Sequence, residues 1–533
     1  MTSYEKLGGD FQPRTESIFT PLRKLKKDYI ILASLVVLKF VLHYLLIGSM
    51  YDLHRDEYLH LDQAHHLAWG FQSVPPLTSW ISCIIFWLGG SVFWVKFFPG
   101  LFGALTMVVV WEAIQELGGD LYAKVLGATC VLFSVILRIN LLYQPNSLDI
   151  LCWTGFYFLL IRYIKSGNPR WIYACAVVFA LGFLNKYNIV FLAAGLLPAI
   201  LLTPQRSIFL NRYVYLAALI ALVIVAPNLI WQYRNNFPVI VHLKELSDRQ
   251  LVNVDRIGFI KSQVLFFIGS IVVISAALYA LRSHRPFRSY RLFIWSLLFT
   301  LGIFLFLRAK DYYAIGIYPI YLAFGSVYIS NILQGGWRKY LRGVVVALPL
   351  LLFIPISSIA FLDKSPEYII EHEERFRRIG LLRWEDGKEH TLPQDYADML
   401  GWKELAQTVD KVYHTLGDSA HVLILCDNYG EAGAINYYSD IKHINCGSFS
   451  ADYRDWLRLD KKVESIIYVK EHLMDIDEME RANSMFDNVY PAATRINHFA
   501  REDTIRIYIL NGARVDVNEV IKKSMQQENR QKI

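Results

Sequence analysis

The residues best suited to chemistry in this chain sit in short polar breaks between long apolar runs. His54-Arg55-Asp56-Glu57-Tyr58-Leu59-His60-Leu61 follows the first run and carries an adjacent acid pair, Asp56-Glu57. Carboxylates held against a bilayer are costly to keep charged, so such a pair is a functional candidate by default. The competing reading is a wet loop made soluble by its charges. Later breaks carry Arg138, Lys186, Arg308, Lys310, Tyr312 and Tyr313, with Asp149 as a candidate second acid or metal ligand. A carboxylate can take a proton from a hydroxyl within hydrogen-bond reach as a new bond forms. Cations can grip a phosphate and stabilise its charge as it leaves. Together these groups would suit moving a sugar from a lipid phosphate to an acceptor hydroxyl, with Asp56 as base and the cations and tyrosines on the phosphate.

Each residue also has a plainer explanation. Lys and Arg at helix ends snorkel to headgroups, and Tyr312-Tyr313 suits the aromatic belt of a membrane interface. Asp149 could equally cap the helix it opens. His65-His66 reads as structural, and nothing has a strong zinc-ligand spacing.

Composition says what must position these groups. Of 533 residues, 54% are hydrophobic and only 19% charged, with a mean hydropathy of +0.30. A soluble domain is about a quarter charged, so many membrane spans are expected. At about 20 apolar residues per crossing, eleven spans are predicted, near 29–49, 92–113, 121–139, 147–165, 171–186, 188–204, 212–231, 259–281, 291–307, 313–332 and 341–362. Leu77–Leu88 is too short to cross upright and reads as re-entrant or interfacial, against the polar stretch 56–69. The expected organisation is a tail over 1–28, a transmembrane catalytic domain over 29–362 with a first outer loop at 50–91, and a soluble domain over 363–533.

Lys and Arg concentrate in alternate breaks, among them Arg162, Lys165, Arg282, Arg285, Arg338 and Lys339. The positive-inside rule then places the N-terminus in the cytoplasm. An odd number of spans puts the soluble domain and every candidate polar group on the opposite face. The loop 232–258, with four basic residues, is the exception. The first span reads as a signal anchor, too long for a cleavable signal core.

Beyond residue 363, His421–Cys426, Ile441–Cys446, Ser465–Val469 and Thr504–Leu510 suit strands. Leu405–Leu416, Glu431–Tyr438 and Glu471–Phe486 suit helices, giving a small α/β sheet. Asp427-Asn428-Tyr429-Gly430 sits at a strand-to-helix junction and is read as a turn former first and a ligand contact second. Four of the six cysteines lie in apolar segments and read as small buried residues. Cys426 and Cys446 end neighbouring strands, and their pairing stays open. The net charge of +7 reflects basic inner loops, which implies contact with membrane lipid and not with nucleic acid.

Asp56-Glu57 after the first span, followed by Ala64, Gly70 and Pro75-Pro76-Leu77, resembles the bacterial branch of the protein O-mannosyltransferase superfamily (glycosyltransferase family 39). Leu184-Asn185-Lys186-Tyr187 is similar to its Lys-Tyr element, and Arg308–Tyr313 followed by Tyr318-Pro319 to its Tyr-Tyr and Tyr-Pro element. Leu392–Asp398, Gly401-Trp402 and Asn428–Ala434 look typical of that branch. The resemblance covers nearly the whole chain and implies a GT-C membrane glycosyltransferase of the bacterial inner membrane. Its donor would be a polyprenyl-phosphate sugar and its acceptor a glycan, lipid or protein. Transfer would be inverting and extracytoplasmic, with Asp56 as general base, Glu57 orienting it, and Lys186 near the donor phosphate. No cofactor is assigned, and a divalent metal stays open. In related enzymes that put aminoarabinose on lipid A, a lysine precedes the Pro-Pro-Leu; here that position is Val74, and Lys310 also stands where relatives often have a different polar residue. The rival expectation is a lipid or solute transporter whose pathway the same charges would line. Internal repeats typical of transporters are not evident.

Overall fold

The computed structural model describes residues 19–361, 363–416, 421–441 and 443–532. The expected tail therefore lies outside the described residues up to position 18.

Sixteen helices make the first part. They are α1 (Phe19–Leu45), α2 (Arg55–Asp62), α3 (Leu77–Trp87), α4 (Val92–Glu116), α5 (Leu121–Leu132), α6 (Val135–Ile139), α7 (Asn146–Ser166) and α8 (Pro169–Asn185), then α9 (Ile189–Leu201), α10 (Arg212–Arg234), α11 (Pro238–Arg249), α12 (Arg256–Phe266), α13 (Ile271–Ser283), α14 (Leu292–Phe306), α15 (Pro319–Ile332) and α16 (Leu341–Ala360). Five segments among the described residues are long and apolar enough to cross a bilayer as one helix: Lys27–Leu45, α4, α7, α10 and Gly336–Ala360. Three more expected spans are bent pairs, broken by 107° after α9, by 62° between α12 and α13, and by 48° before α15. The remaining three correspond to apolar helices shorter than a full crossing, α5, α8 and α14. The expected span 121–139 is broken at Phe133-Ser134, where Ser134 starts α6. Leu219, Leu222 and Val223 of α10 stay exposed, as lipid-facing residues do, because hydrocarbon solvates apolar side chains as well as a protein core does.

Next come short helices α17 (Pro366–Glu371), α18 (Glu373–Arg378) and α19 (Gln394–Ala397), then α20 (Trp402–Thr415). The sheet domain follows with β1 (Val422–Cys426), α21 (Tyr429–Tyr438), β2 (Cys446–Ser448), α22 (Tyr453–Trp456), β3 (Ser465–Lys470), α23 (Ile476–Met485), β4 (Phe486–Ile496), β5 (Thr504–Ala513) and α24 (Val517–Lys532). Strand order is β2-β1-β3-β5-β4. β1 runs parallel to β2 and β3, while β5 is antiparallel to β3 and β4.

Two expectations are corrected here. The strand placed at Ile441–Cys446 is β2 at Cys446–Ser448, because an edge strand takes its register from β1, and Ile424 faces Cys446. The helix placed at Glu471–Phe486 ends at Met485, and Phe486 opens an unexpected strand, β4. Pro491 hides β4 from sequence patterning; it is tolerated because β4 is an edge strand and its register shifts at Pro491. The Cys426 and Cys446 thiols are unbonded, with sulfurs 3.8 Å apart.

The sheet domain is not a separate bead. Tyr58, Leu59 and Leu61 of α2 share one buried cluster with Trp402, Leu405 and Ile435. The same seam is stitched by polar groups: the Asp52 amide donates to the Met399 carbonyl at 2.8 Å, and the Trp402 amide donates to Asp52 Oδ2 at 2.9 Å.

Candidate active site

α2 is short and starts with a reciprocal cap. His54 Nδ1 accepts from the Asp56 amide at 3.2 Å, and Glu57 Oε2 accepts from the His54 amide at 2.7 Å. Such a box satisfies amides that the first helical turn leaves unpaired, and it gives the two adjacent acids opposite environments. Glu57 is fully buried and also accepts from Lys96 Nζ at 2.7 and 2.8 Å and from the Tyr143 amide at 2.6 Å. Its charge and lone pairs are consumed by α4 and by the segment before α7.

Asp56 keeps 36% of its side-chain surface accessible. The Tyr429 hydroxyl donates to its Oδ1 at 2.7 Å, and Gln144 Nε2 donates to its Oδ2 at 3.0 Å. Burial alone would raise the Asp56 carboxyl, but His54, the Tyr429 hydroxyl, His60 and Arg55 outweigh it and hold it below its ordinary value. Arg55 stacks over the Tyr429 ring at 4.5 Å. Behind it, Asp398 accepts twice from Arg501, at 3.0 and 3.2 Å, and burial is outweighed there by His54, Arg55 and Arg501, which hold that carboxyl well below the usual range.

Lys186 caps the C-terminal end of α8 and donates to Asn146 Oδ1 at 2.7 Å. Its ammonium lies 4.2 Å from the Tyr313 ring centre and 5.2 Å from that of Tyr312, a cation–π arrangement. Asp149 underpins this corner. It accepts from Trp153 Nε1 at 2.9 Å and from Asn188 Nδ2 at 2.8 Å, and the same Asn188 nitrogen reaches the Tyr313 carbonyl at 3.0 Å. Asp149 does not cap α7, whose N-cap position is Pro145.

The remaining cations divide. Arg138 pairs with Asp395 at 2.9 Å, and Lys310 pairs with Glu385. Burial would lower the Lys310 ammonium, but Glu385 outweighs it and Asp56 acts in the same direction. Arg308 adopts a positive φ of 52° and donates to the Val252 carbonyl at 3.1 Å. Structure thus brings Asp56, Lys186, Lys310, Tyr312 and Tyr313 towards one region. It ties Arg138 and Arg308 to neighbouring chain segments, and it seals Glu57 away. His65 and His66 pack on the rings of Phe86 and Trp456. No cluster of three or more His, Cys, Asp or Glu placed to hold a metal occurs among the described residues.

Sequence reasoning missed Gln144, Asn146 and Tyr429 as partners of the site. The first two flank Pro145 just ahead of an apolar helix, a place where unpaired amides are costly. For Tyr429 the local signal was only its place at a strand-to-helix junction, which could not name Asp56, 373 residues away, as its partner.

The chain is similar to several known proteins. The model of the dolichyl-phosphate-mannose-protein mannosyltransferase family matches residues 73–231. Lipid A galacturonosyltransferase RgtD of Rhizobium johnstonii is 24% identical over 199 residues, a match spanning 35% of this chain and 41% of that relative. Crystal structures of ArnT from Cupriavidus metallidurans superpose with TM-scores of 0.58 bound to undecaprenyl phosphate and 0.59 in the apo state, at 12% and 13% identity. These cover 89% and 91% of this chain and 97% and 98% of theirs. The fold is that of these ArnT structures, with a C-terminal α/β domain. The motif resemblance to the protein O-mannosyltransferase group agrees with the family match.

Proposed function

We propose that this protein transfers a sugar from a polyprenyl-phosphate-linked donor to an acceptor hydroxyl at the extracytoplasmic face of the bacterial inner membrane. The acceptor is a glycan, lipid or protein. The acceptor O–H proton passes to Asp56 as the acceptor oxygen bonds to the anomeric carbon. The bond from that carbon to the phosphate oxygen breaks, and polyprenyl phosphate leaves with the electron pair. Attack opposite the leaving group inverts the anomeric centre. Lys186 holds the phosphate, with Tyr312 and Tyr313 beside it and Lys310 adding positive charge. Glu57 contributes by fixing α2, not by touching substrate.

The observation that carries this reading is the contrast between two neighbouring acids. Asp56 is accessible, ionised and linked through Gln144 and Asn146 to a lysine-tyrosine corner, whereas Glu57 is spent on Lys96. Val74, in place of a lysine ahead of Pro75-Pro76-Leu77, favours a donor sugar other than aminoarabinose.

The test is release of polyprenyl phosphate by the purified protein from a panel of lipid-linked monosaccharides, with and without candidate acceptors. A lost general base costs roughly 10²–10⁴-fold, so Asp56→Asn is expected to fall by that factor while still binding undecaprenyl phosphate. Equal turnover by the variant removes Asp56 from the mechanism. Solute movement between two compartments without consumption of the lipid-linked sugar would favour a transporter.

A further inference from the structure

Asp56 and Lys186 are joined by two side-chain amides. Lys186 Nζ donates to Asn146 Oδ1 at 2.7 Å, Asn146 Nδ2 donates to Gln144 Oε1 at 2.9 Å, and Gln144 Nε2 donates to Asp56 Oδ2 at 3.0 Å. An ammonium can only donate and a carboxylate can only accept. Both amides must therefore turn oxygen towards the lysine and nitrogen towards the aspartate. Reversing either one would set like groups face to face. The scaffold is firm: Pro145 lies between the two amides, and its carbonyl accepts from Asn185 Nδ2 at 2.8 Å. The chain thus runs unbroken from Lys186 to Asp56.

We propose that Gln144 and Asn146 are positioning residues that make the base respond to the donor. This rests on the function proposed above. A donor phosphate that takes the Lys186 ammonium strips Asn146 Oδ1 of its proton donor. Gln144 is then free to draw back from Asp56 Oδ2, and that oxygen becomes available to the acceptor hydroxyl. The base is held by the protein until the donor is in place, which disfavours transfer to a stray hydroxyl. The other groups facing Asp56 do not belong to this chain: His54, Arg55 and His60 on its own segment, Tyr429 from the sheet domain, and His242, Lys310 and Tyr312 through their fields.

Carbodiimide labelling of Asp56, read by mass spectrometry across pH on the full-length purified protein, tests this because it reports the protonated carboxyl. Undecaprenyl phosphate is the probe. In the wild type it should raise the labelling midpoint. In Gln144→Ala the unliganded midpoint should already stand about one pH unit higher, the effect of losing one hydrogen bond to a charged group, and the phosphate should move it less than half as far as in the wild type. Gln144→Glu keeps the side-chain shape and should raise the midpoint further. A wild-type midpoint in both variants, or an equal phosphate response in wild type and Gln144→Ala, overturns the proposal. Labelling needs no turnover, so a wild type that transfers no sugar sinks the functional reading, whereas active transfer with equal midpoints sinks only the relay.

Discussion

The Tyr429 hydroxyl, at the first residue of α21, donates to Asp56 Oδ1 at 2.7 Å. The sheet domain therefore reaches the segment that carries Asp56 and helps keep this accessible acid ionised. The capping box of Asn428 and Glu431 starts α21 at this residue, and Arg55 packs on its ring.

Removing that hydroxyl should change when Asp56 works as well as how well. The bond stabilises the charged carboxylate, so Tyr429→Phe raises the Asp56 pKa, and the ionised base that the proposed transfer needs is lost at higher pH. Hydrogen bonds to charged groups are worth ~1.5–3 kcal/mol, and one pKa unit is ~1.4 kcal/mol. The acid limb of kcat/KM should move up by about one to two pH units. A folded variant with the wild-type limb would show that Tyr429 does not tune Asp56.

Glu57 and Lys96 form a buried pair between α2 and α4. Breaking such a pair leaves an uncompensated charge, at a cost of about 3–5 kcal/mol. Glu57→Gln and Lys96→Met should each lower the thermal midpoint in detergent, and the double variant should recover part of the loss. Additive losses would mean that the two side chains are not coupled.

Asp62 and Asp452 hold the far side of the seam. Asp62 accepts from the Tyr453 hydroxyl at 2.6 Å and Asn436 Nδ2 at 2.8 Å, and Asp452 accepts from the Gln72 amide at 2.7 Å. Burial, opposed by these hydrogen bonds, pushes both carboxyls up to about 6. A folded-state value above the ordinary one means that the folded protein binds more protons, so the stability these two acids contribute is fully present below about pH 4 and is lost as pH rises through about 6. Hydrogen exchange around Tyr453, corrected for intrinsic rate, should rise from pH 5 to pH 7.5 and do so less steeply in Asp452→Asn. Protection that grows with pH would reject this.

Gly433 lets α21 lie directly on α2. A Cβ there would come within 2.5 Å of the Tyr453 hydroxyl oxygen and 2.6 Å of Tyr58 Cβ. Overpacking of this kind costs about 1–3 kcal/mol, so Gly433→Ala should lower both the thermal midpoint and transfer, by loosening Tyr429 from Asp56. Unchanged proteolytic resistance at the seam together with full activity would contradict it.

Much of this was legible in the chain itself. Apolar runs set the helices, because a segment that must satisfy its own backbone groups in hydrocarbon has few other choices. Short apolar runs rich in Val, Ile and Tyr marked β1, β3 and β5, and the acid pair at Asp56-Glu57 and the lysine at 186 stood out as charges in unlikely places. Local patterning could not reveal β4, whose Pro491 is tolerated only at an edge. Neither could it say which of two adjacent carboxylates would stay open. Tertiary packing decided that, because Lys96 comes from α4 and Tyr429 and Gln144 from two other parts of the chain. Whether a charge is consumed or available depends on which distant donors reach it, and only the folded arrangement of α2, α4, α7 and α21 sets those distances.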